Sequence, residues 1–257
     1  MDQLSNRSAF LYNYIVTTTN NFLPFNDGVG DKLAQLRTGS YTFSSLSVEI
    51  ARAMNQVGEN EYQCLIDRAN RTFTISADGV FDLLLTSIYS ESDIFEVIGF
   101  AVDDKTGLTA YTSDNATGTL FKPQFVLQNY TDFENERISI GGVRNESANG
   151  INVENVKFGS YNVMTCNIKY VTNNNMGRGN TIENNQNAMQ ELRDFMNYIT
   201  DLRPVEFIPD RDQPAMDVSE CLLNSTRESK SGLNYKIKRV QGSTRHFETG
   251  ELKFRRI

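Results

Sequence analysis

Glu61-Tyr62-Gln63-Cys64-Leu65-Ile66-Asp67, Arg71-Thr72-Phe73-Thr74-Ile75-Ser76 and Val80-Phe81-Asp82-Leu83-Leu84-Leu85-Thr86 are the runs whose reading decides the fold. Side chains alternate between the two faces of a strand, so Tyr62, Cys64 and Ile66 share a face of the first run. Phe73 and Ile75 share a face of the second run, and Phe81, Leu83 and Leu85 a face of the third. The connectors Arg68-Ala69-Asn70 and Ala77-Asp78-Gly79 have the length and composition of tight antiparallel hairpins. Each strand therefore has one side to bury, and the preceding segment supplies a cover. Leu46, Ile50, Ala53, Met54 and Val57 fall on a single stripe of a helix that Ser44 or Ser45 can cap and Gly58 stops.

Outward from this core, residues 10–19 read as a strand in which Tyr12, Tyr14 and Val16 alternate, broken by Asn20-Asn21. A turn-rich segment over 26–31 precedes the short apolar-ended stretch Leu33 to Leu36. Downstream, 94–100 closes the module, with Gly99 suited to a close backbone approach, and Asp103-Asp104-Lys105-Thr106-Gly107 makes a sharp turn. The polar stretch 112–118 has little to bury and marks a boundary between a first module, 1–118, and a second, 119–257. In the second, strands are expected at 121–130, 138–143, 153–158 and 161–171. A long Asn-rich loop over 172–186 follows and can reach a neighbouring subunit. A helix over 187–201 carries Ala188, Met189, Leu192, Phe195, Met196 and Ile199 on one face, and Pro204 bars its continuation. Further strands are expected at 205–208, 216–224, 233–240 and through Glu248-Thr249-Gly250. The expected fold class is mainly β (α+β): two antiparallel β-sandwich or barrel-like modules, each with one packed amphipathic helix.

Composition agrees with this reading. Hydrophobic residues are 39% and charged residues 22% of the 257, enough for packed cores, and 16 Phe and 11 Tyr with no Trp favour half-buried strands. Residues 1–7 lack the basic and apolar regions of a secretory signal. The apolar clusters at 80–85 and 94–100 are interrupted by Asp82 and Glu96 and are too short for a bilayer, so no membrane association is expected. The net charge of −7 argues against sequence-specific nucleic-acid binding. Lys236, Lys238, Arg239, Lys253, Arg255 and Arg256 nevertheless make the C-terminal end basic against an acidic body. A solvated strand face is the simpler meaning of that asymmetry, and opposite faces of like subunits the functional one.

Chemistry-bearing patterns are few. His246 is the single histidine, so any imidazole-based dyad or triad must use it, and a multi-histidine metal site within one chain is excluded. No P-loop, dinucleotide, nucleophile-elbow or zinc-protease pattern occurs. Asp103 with Asp104, and Asp210 with Asp212, are the best acidic pairs for calcium or glycosidic work, but turns select Asp for backbone reasons alone. Cys64, Cys166 and Cys221 are scattered and read as buried small hydrophobes. Met189 and Met196 read as core packing, and the Asn-x-Ser/Thr triplets as products of an Asn-rich chain. The expectation is a non-enzymatic protein with no catalytic, cofactor-binding or metal residues.

Gly39-Ser40-Tyr41-Thr42, the helix from Leu46 to Met54, Tyr62, Asn70-Arg71-Thr72-Phe73-Thr74-Ile75, Phe81-Asp82-Leu83-Leu84-Leu85 and Ile98-Gly99-Phe100 form a series. It resembles a small virion module of tail and other capsid-associated proteins of double-stranded DNA viruses, which opens on Gly-x-Tyr-Thr and closes on Leu-Gly-Phe; here Ile98 stands for the Leu. The C-terminal part resembles distal-tail and tube proteins of long-tailed bacteriophages through 192–198, Val205-Glu206-Phe207, Leu233-Asn234-Tyr235-Lys236 and 247–254. The resemblance implies a structural virion subunit, assembled in the host cytoplasm, that forms a homo-oligomeric ring in the tail beside other tail or baseplate proteins and carries no active site. The alternative is a carbohydrate- or receptor-binding β-sandwich module, with Tyr130, Tyr161 and Tyr170 as stacking candidates.

Overall fold

The computed structural model describes residues 8–101, 103–122, 133–139, 142–146, 153–157, 159–168, 171–172, 188–226, 237–242 and 246–257. The elements run β1 (Ala9–Tyr12), β2 (Tyr14–Val16), β3 (Phe22–Asn26), β4 (Asp31–Gln35), β5 (Gly39–Tyr41), α1 (Phe43–Val57), β6 (Tyr62–Asp67), β7 (Thr72–Leu83), α2 (Phe95–Ile98), β8 (Lys105–Thr112) and β9 (Thr119–Phe121). They continue with β10 (Phe133–Ser139), β11 (Gly142–Glu146), β12 (Val153–Lys157), β13 (Ser160–Asn167), β14 (Val171–Thr172), α3 (Ala188–Thr200), β15 (Val205–Ile208), β16 (Ser219–Thr226), β17 (Lys238–Arg239), β18 (His246–Glu248) and β19 (Glu251–Arg256). The expected class holds: strands dominate, their ladders are antiparallel, and helices are few. Contacts group Ala9–Phe121 with Arg203–Val218 in one unit, and the described residues of Lys122–Leu202 and Ser219–Ile257 in another.

In the first unit, α1 covers the sheet β4-β3-β7-β6, with β8 on the other side of β7. Leu46, Ile50, Ala53 and Met54 are buried with Phe73, Ile75, Phe81 and Leu83 in one cluster, as the periodicity predicts. Val57 instead stays partly in water, because the helix ends there. Neither Ser44 nor Ser45 is the cap. Thr42 accepts the Ser45 amide and Ser45 Oγ accepts the Thr42 amide, a reciprocal box that satisfies two donors at the helix start. Aromatic rings knit the core: Tyr14 stacks on Phe43 at 5.5 Å, Phe43 meets Phe73 edge-on at 4.6 Å, and Phe81 meets Tyr62 at 5.4 Å and Tyr111 at 5.0 Å.

Three local readings are corrected. Residues 10–19 are not one strand: Asn13 adopts φ 77°, so β1 and β2 diverge into different sheets. Asn tolerates that left-handed region better than most residues. Ala77-Asp78-Gly79 is not a hairpin turn but the middle of β7. Asp78 accepts the Glu61 amide, and a Cβ on Gly79 would lie 2.5 Å from Asn60 Oδ1, so Asp-Gly here lets 60–61 pack against a continuous strand. A strand absent from the sequence reading, β3, carries Pro24 in its middle; the position opposite Leu33 accommodates it, and the Pro24 carbonyl still accepts from Leu84 N–H. The expected hairpin at 68–70 is present, joining β6 to β7 with Asp67 accepting the Ala69 and Asn70 amides. Gly99, at φ 81°, sits against the Asn115 carbonyl where a side chain has no room. Stretch 112–118 is tied down: Ser113 N–H donates to the Phe73 carbonyl, and Thr117 N–H to that of Arg71.

In the second unit the strand order includes β10-β13-β19-β16, flanked by the hairpin β11-β12 and the small sheet β14-β18-β17. Met164, Cys166, Leu223, Leu252 and Phe254 are buried on these strands. The helix α3 matches the expected 187–201 closely, with Leu192, Phe195, Met196 and Ile199 fully buried. The chain leaves it through Leu202, at φ 58°. The strand expected over 121–130 begins earlier, as β9, and residues 123–130 lie outside the described residues, as do 173–186 of the Asn-rich loop and all of 227–236.

Candidate functional site

The residues singled out for chemistry are mostly occupied with structure. Asp104 accepts Thr86 N–H at 2.8 Å and the Thr86 hydroxyl at 3.0 Å, and Asp210 accepts Asp212 N–H at 3.0 Å within a turn. Both uses fix loops, which is why Asp stands there. Cys64, Cys166 and Cys221 are free thiols, and burial pushes Cys64 and Cys221 up to about 12 and Cys166 higher still, so none is a nucleophile near neutral pH. Among the described residues no group of three or more His, Cys, Asp or Glu could hold a metal ion. His246 pairs through its backbone with Thr172, and its side chain lies outside the described residues. Tyr161 has the Arg255 guanidinium 4.9 Å above its ring, so that face already has a cationic partner. Tyr130 and Tyr170 lie outside the described residues.

A groove that sequence reasoning missed lies in the first unit. It has a volume of about 660 Å³ and is lined by Thr18, Asn21, Gln35, Arg37, Arg52 and Gln56 among others, over an apolar floor that includes Leu36. The turn before β3, the end of β4 and the last turns of α1 position these side chains. Glu49, buried on α1, organises the wall: it accepts Arg37 N–H at 2.7 Å and is gripped by Arg52 through Nε at 2.8 Å and Nη2 at 2.6 Å. Burial alone would raise the Glu49 pKa, and the Arg52 and Arg37 hydrogen bonds overcome it, so the carboxyl titrates below its ordinary value. Arg52 also donates to Gln56 Oε1 at 2.7 Å and to the Gln35 carbonyl at 3.2 Å. Asn21 donates to the Leu36 carbonyl at 3.4 Å, while its Oδ1 is buried with no partner in the protein.

The same hydrogen bonds occupy the last outward group of β4 and a residue beyond it. On β4 the outward Gln35 carbonyl is taken by Arg52, and just beyond it the Arg37 N–H and carbonyl are taken by Glu49 and the Tyr41 hydroxyl. On β6 the Asn55 amide reciprocally pairs with Tyr62 N–H at 2.8 Å and the Tyr62 carbonyl at 2.7 Å, as a neighbouring strand would. On β8 Gly107 N–H donates to Asp82 Oδ1 and Leu108 N–H to the Tyr111 hydroxyl, and beyond them, among the described residues, no side chain takes the backbone groups of Ala110 or Thr112. Ser113 N–H points to Phe73, so by alternation Tyr111 faces β7 and Ala110 and Thr112 turn their backbone groups outward. Leu108, Thr109, Ala110 and Thr112 are exposed along it.

No family model matches the sequence, and no curated protein matches it. Among solved structures, the chain is similar to the mavirus penton protein, with 10% identity and a TM-score of 0.29, over 98% of this chain and 84% of that one. A superposition at that score fixes neither topology nor assembly.

Proposed function

We propose that this chain is a non-enzymatic structural subunit of a virion that closes into a homo-oligomeric ring. The observation that carries the reading is the exposed edge of β8, where the outward backbone groups of Ala110 and Thr112 meet no side-chain stopper among the described residues, whereas side chains take the Gln35 carbonyl on β4 and both backbone groups of Tyr62 on β6. An open edge is a template for another strand. A ring satisfies such an edge on every copy with one repeated contact. The sequence resemblance to tail proteins supports placing the ring in a phage tail, as a distal-tail, tube or baseplate-proximal component, with neighbouring tail proteins as its other partners.

The test is sedimentation of the full chain beside Ala110→Pro. Proline removes an outward N–H of β8 while leaving the residues that face β7 in place. The reading expects a discrete oligomer for the parent chain and a monomer of unchanged circular dichroism for the variant. A parent chain that stays monomeric at high concentration and inside its native particle contradicts it.

A further inference from the structure

We propose that the outer face of the sheet β6-β7-β8 docks the basic C-terminal strand β19 of a second copy, with Lys253 and Arg255 on its acidic rim and Ile257 against its uncharged centre. The inference rests on the ring reading above and names a surface through which neighbouring copies meet. On these strands Ile75 and Tyr111 point into the core, so alternation sends the row Leu65–Thr74–Thr112 and the row Gln63–Ser76–Ala110 outward. None of the six carries a charge, and Leu65 is 60% exposed. Thr74 and Thr112 spend their hydroxyls on each other at 2.8 Å. An exposed sheet face without charges has the composition of an interface centre, where charged residues are depleted.

The rim selects the occupant. Asp67 lies at one end of the face and Glu61 with Asp78 at the other, and none of the three has an ion pair among the described residues. Lys105, the one basic residue on these strands, is already held by Asp114 at 3.0 Å. The chain itself carries the opposite sign: Ala9–Phe121 with Arg203–Val218 hold 18 acidic and 8 basic residues, and the remainder 14 acidic and 17 basic. On β19 Lys253 and Arg255 face away from the buried Leu252 and Phe254, and Ile257, next in that alternation, is 60% exposed. Arg255 lies over the Tyr161 ring and has no carboxylate partner among the described residues. Lys253 pairs with Glu251 on its own strand at 3.3 Å, an exposed pair worth little. Long cationic stems can lie across small side chains such as Ser76 and Ala110 while their heads reach the rim. Three strands by about five residues give a face on the order of 250 Å², short of the roughly 800 Å² per partner that stable interfaces bury. The face therefore adds to the contact at the β8 edge beside it and does not replace it.

The experiment is sedimentation of the full chain over a concentration series. One variant combines Glu61→Arg with Leu65→Arg on the face, and the other combines Lys253→Glu with Arg255→Glu on β19; all four residues reach solvent. Each variant alone should need at least tenfold more protein than the parent to assemble. An equimolar mixture should recover at least half of that loss on a logarithmic scale, because a contact between the two variants opposes unlike charges whichever one supplies the face. Leu65→Arg beside Leu65→Glu separates charge from shape, since both place a long side chain at one exposed site, and the first should weaken assembly at least threefold more than the second. A smaller loss in either double variant, a smaller recovery on mixing, or equal effects of the two Leu65 variants overturns the docking while a parent ring still stands. A parent chain that stays monomeric at high concentration and inside its native particle overturns the ring reading and the docking together.

Discussion

Glu206→Gln tests how the segment carrying β15 is held in the first unit. Glu206 is fully buried within a strand whose other residues are apolar. One oxygen accepts the Ser44 amide at 2.7 Å, the second position of α1, and the other accepts Arg68 Nε at 3.1 Å in the β6–β7 hairpin. The carboxylate thus ties β15 to a helix start and a hairpin at once, and its charge sits where the helix dipole favours an anion. Removing one member of a buried pair costs about 3–5 kcal/mol; Gln keeps one acceptor and Arg68 is 19% exposed, so about 3 kcal/mol is expected. With a urea slope of about 3 kcal/mol per molar, the midpoint falls by about 1 M. Hydrogen exchange at the amides of α1 localises the loss to this unit, and Arg68→Met in a double-mutant cycle measures the coupling. A change below about 0.5 kcal/mol, or fully additive single mutants, refutes the reasoning.

Two further outcomes follow from geometry and charge. Burial, reinforced by Glu96 and only partly offset by the Phe95 N–H, pushes Asp93 up to about 6. Because its folded pKa lies above the unfolded value, the native state holds the proton more tightly, and stability falls as pH rises from about 4 through about 6. Asp93→Asn should therefore be more stable than the parent at pH 8, by about 1 kcal/mol once solvent screening of this half-buried group is allowed for, and indistinguishable below pH 4; urea midpoints that differ equally at both pH values contradict this. Gly99→Ala, forced to φ 81° with its Cβ against the Asn115 carbonyl and 2.6 Å from Thr117 Cγ2, should cost about 2–4 kcal/mol, and an unchanged thermal midpoint would show that the 99–115 approach relaxes freely.

Periodicity made the helices and the faces they bury legible, since Leu46, Ile50 and Met54, like Leu192, Phe195 and Ile199, occupy stripes that only a core can absorb. Punctuation misled where a turn signal served packing instead: Asp78-Gly79 looks like a hairpin corner, but it lies in an irregular stretch within one strand, where Gly79 admits Asn60. Asn13 breaks a strand through its own dihedral angle, which neighbouring β-branched residues conceal. Pro24 hid β3 for the opposite reason, because proline usually demotes a strand. The groove was not legible at all. Asn21, Arg37 and Arg52 are far apart in sequence and individually ordinary, and only the fold brings them together. One signal was available for Glu206, an acid alone among Val205, Phe207 and Ile208, which marks a buried charge needing a partner.

The most direct test of the ring assignment is cryo-electron microscopy of the assembled full chain, at a resolution that traces strands. The account predicts a closed cyclic ring in which the outward groups of Ala110 and Thr112 on β8 pair with a strand of the adjacent copy. A particle in which β8 faces solvent on every copy, or a chain present only as a monomer, would contradict it.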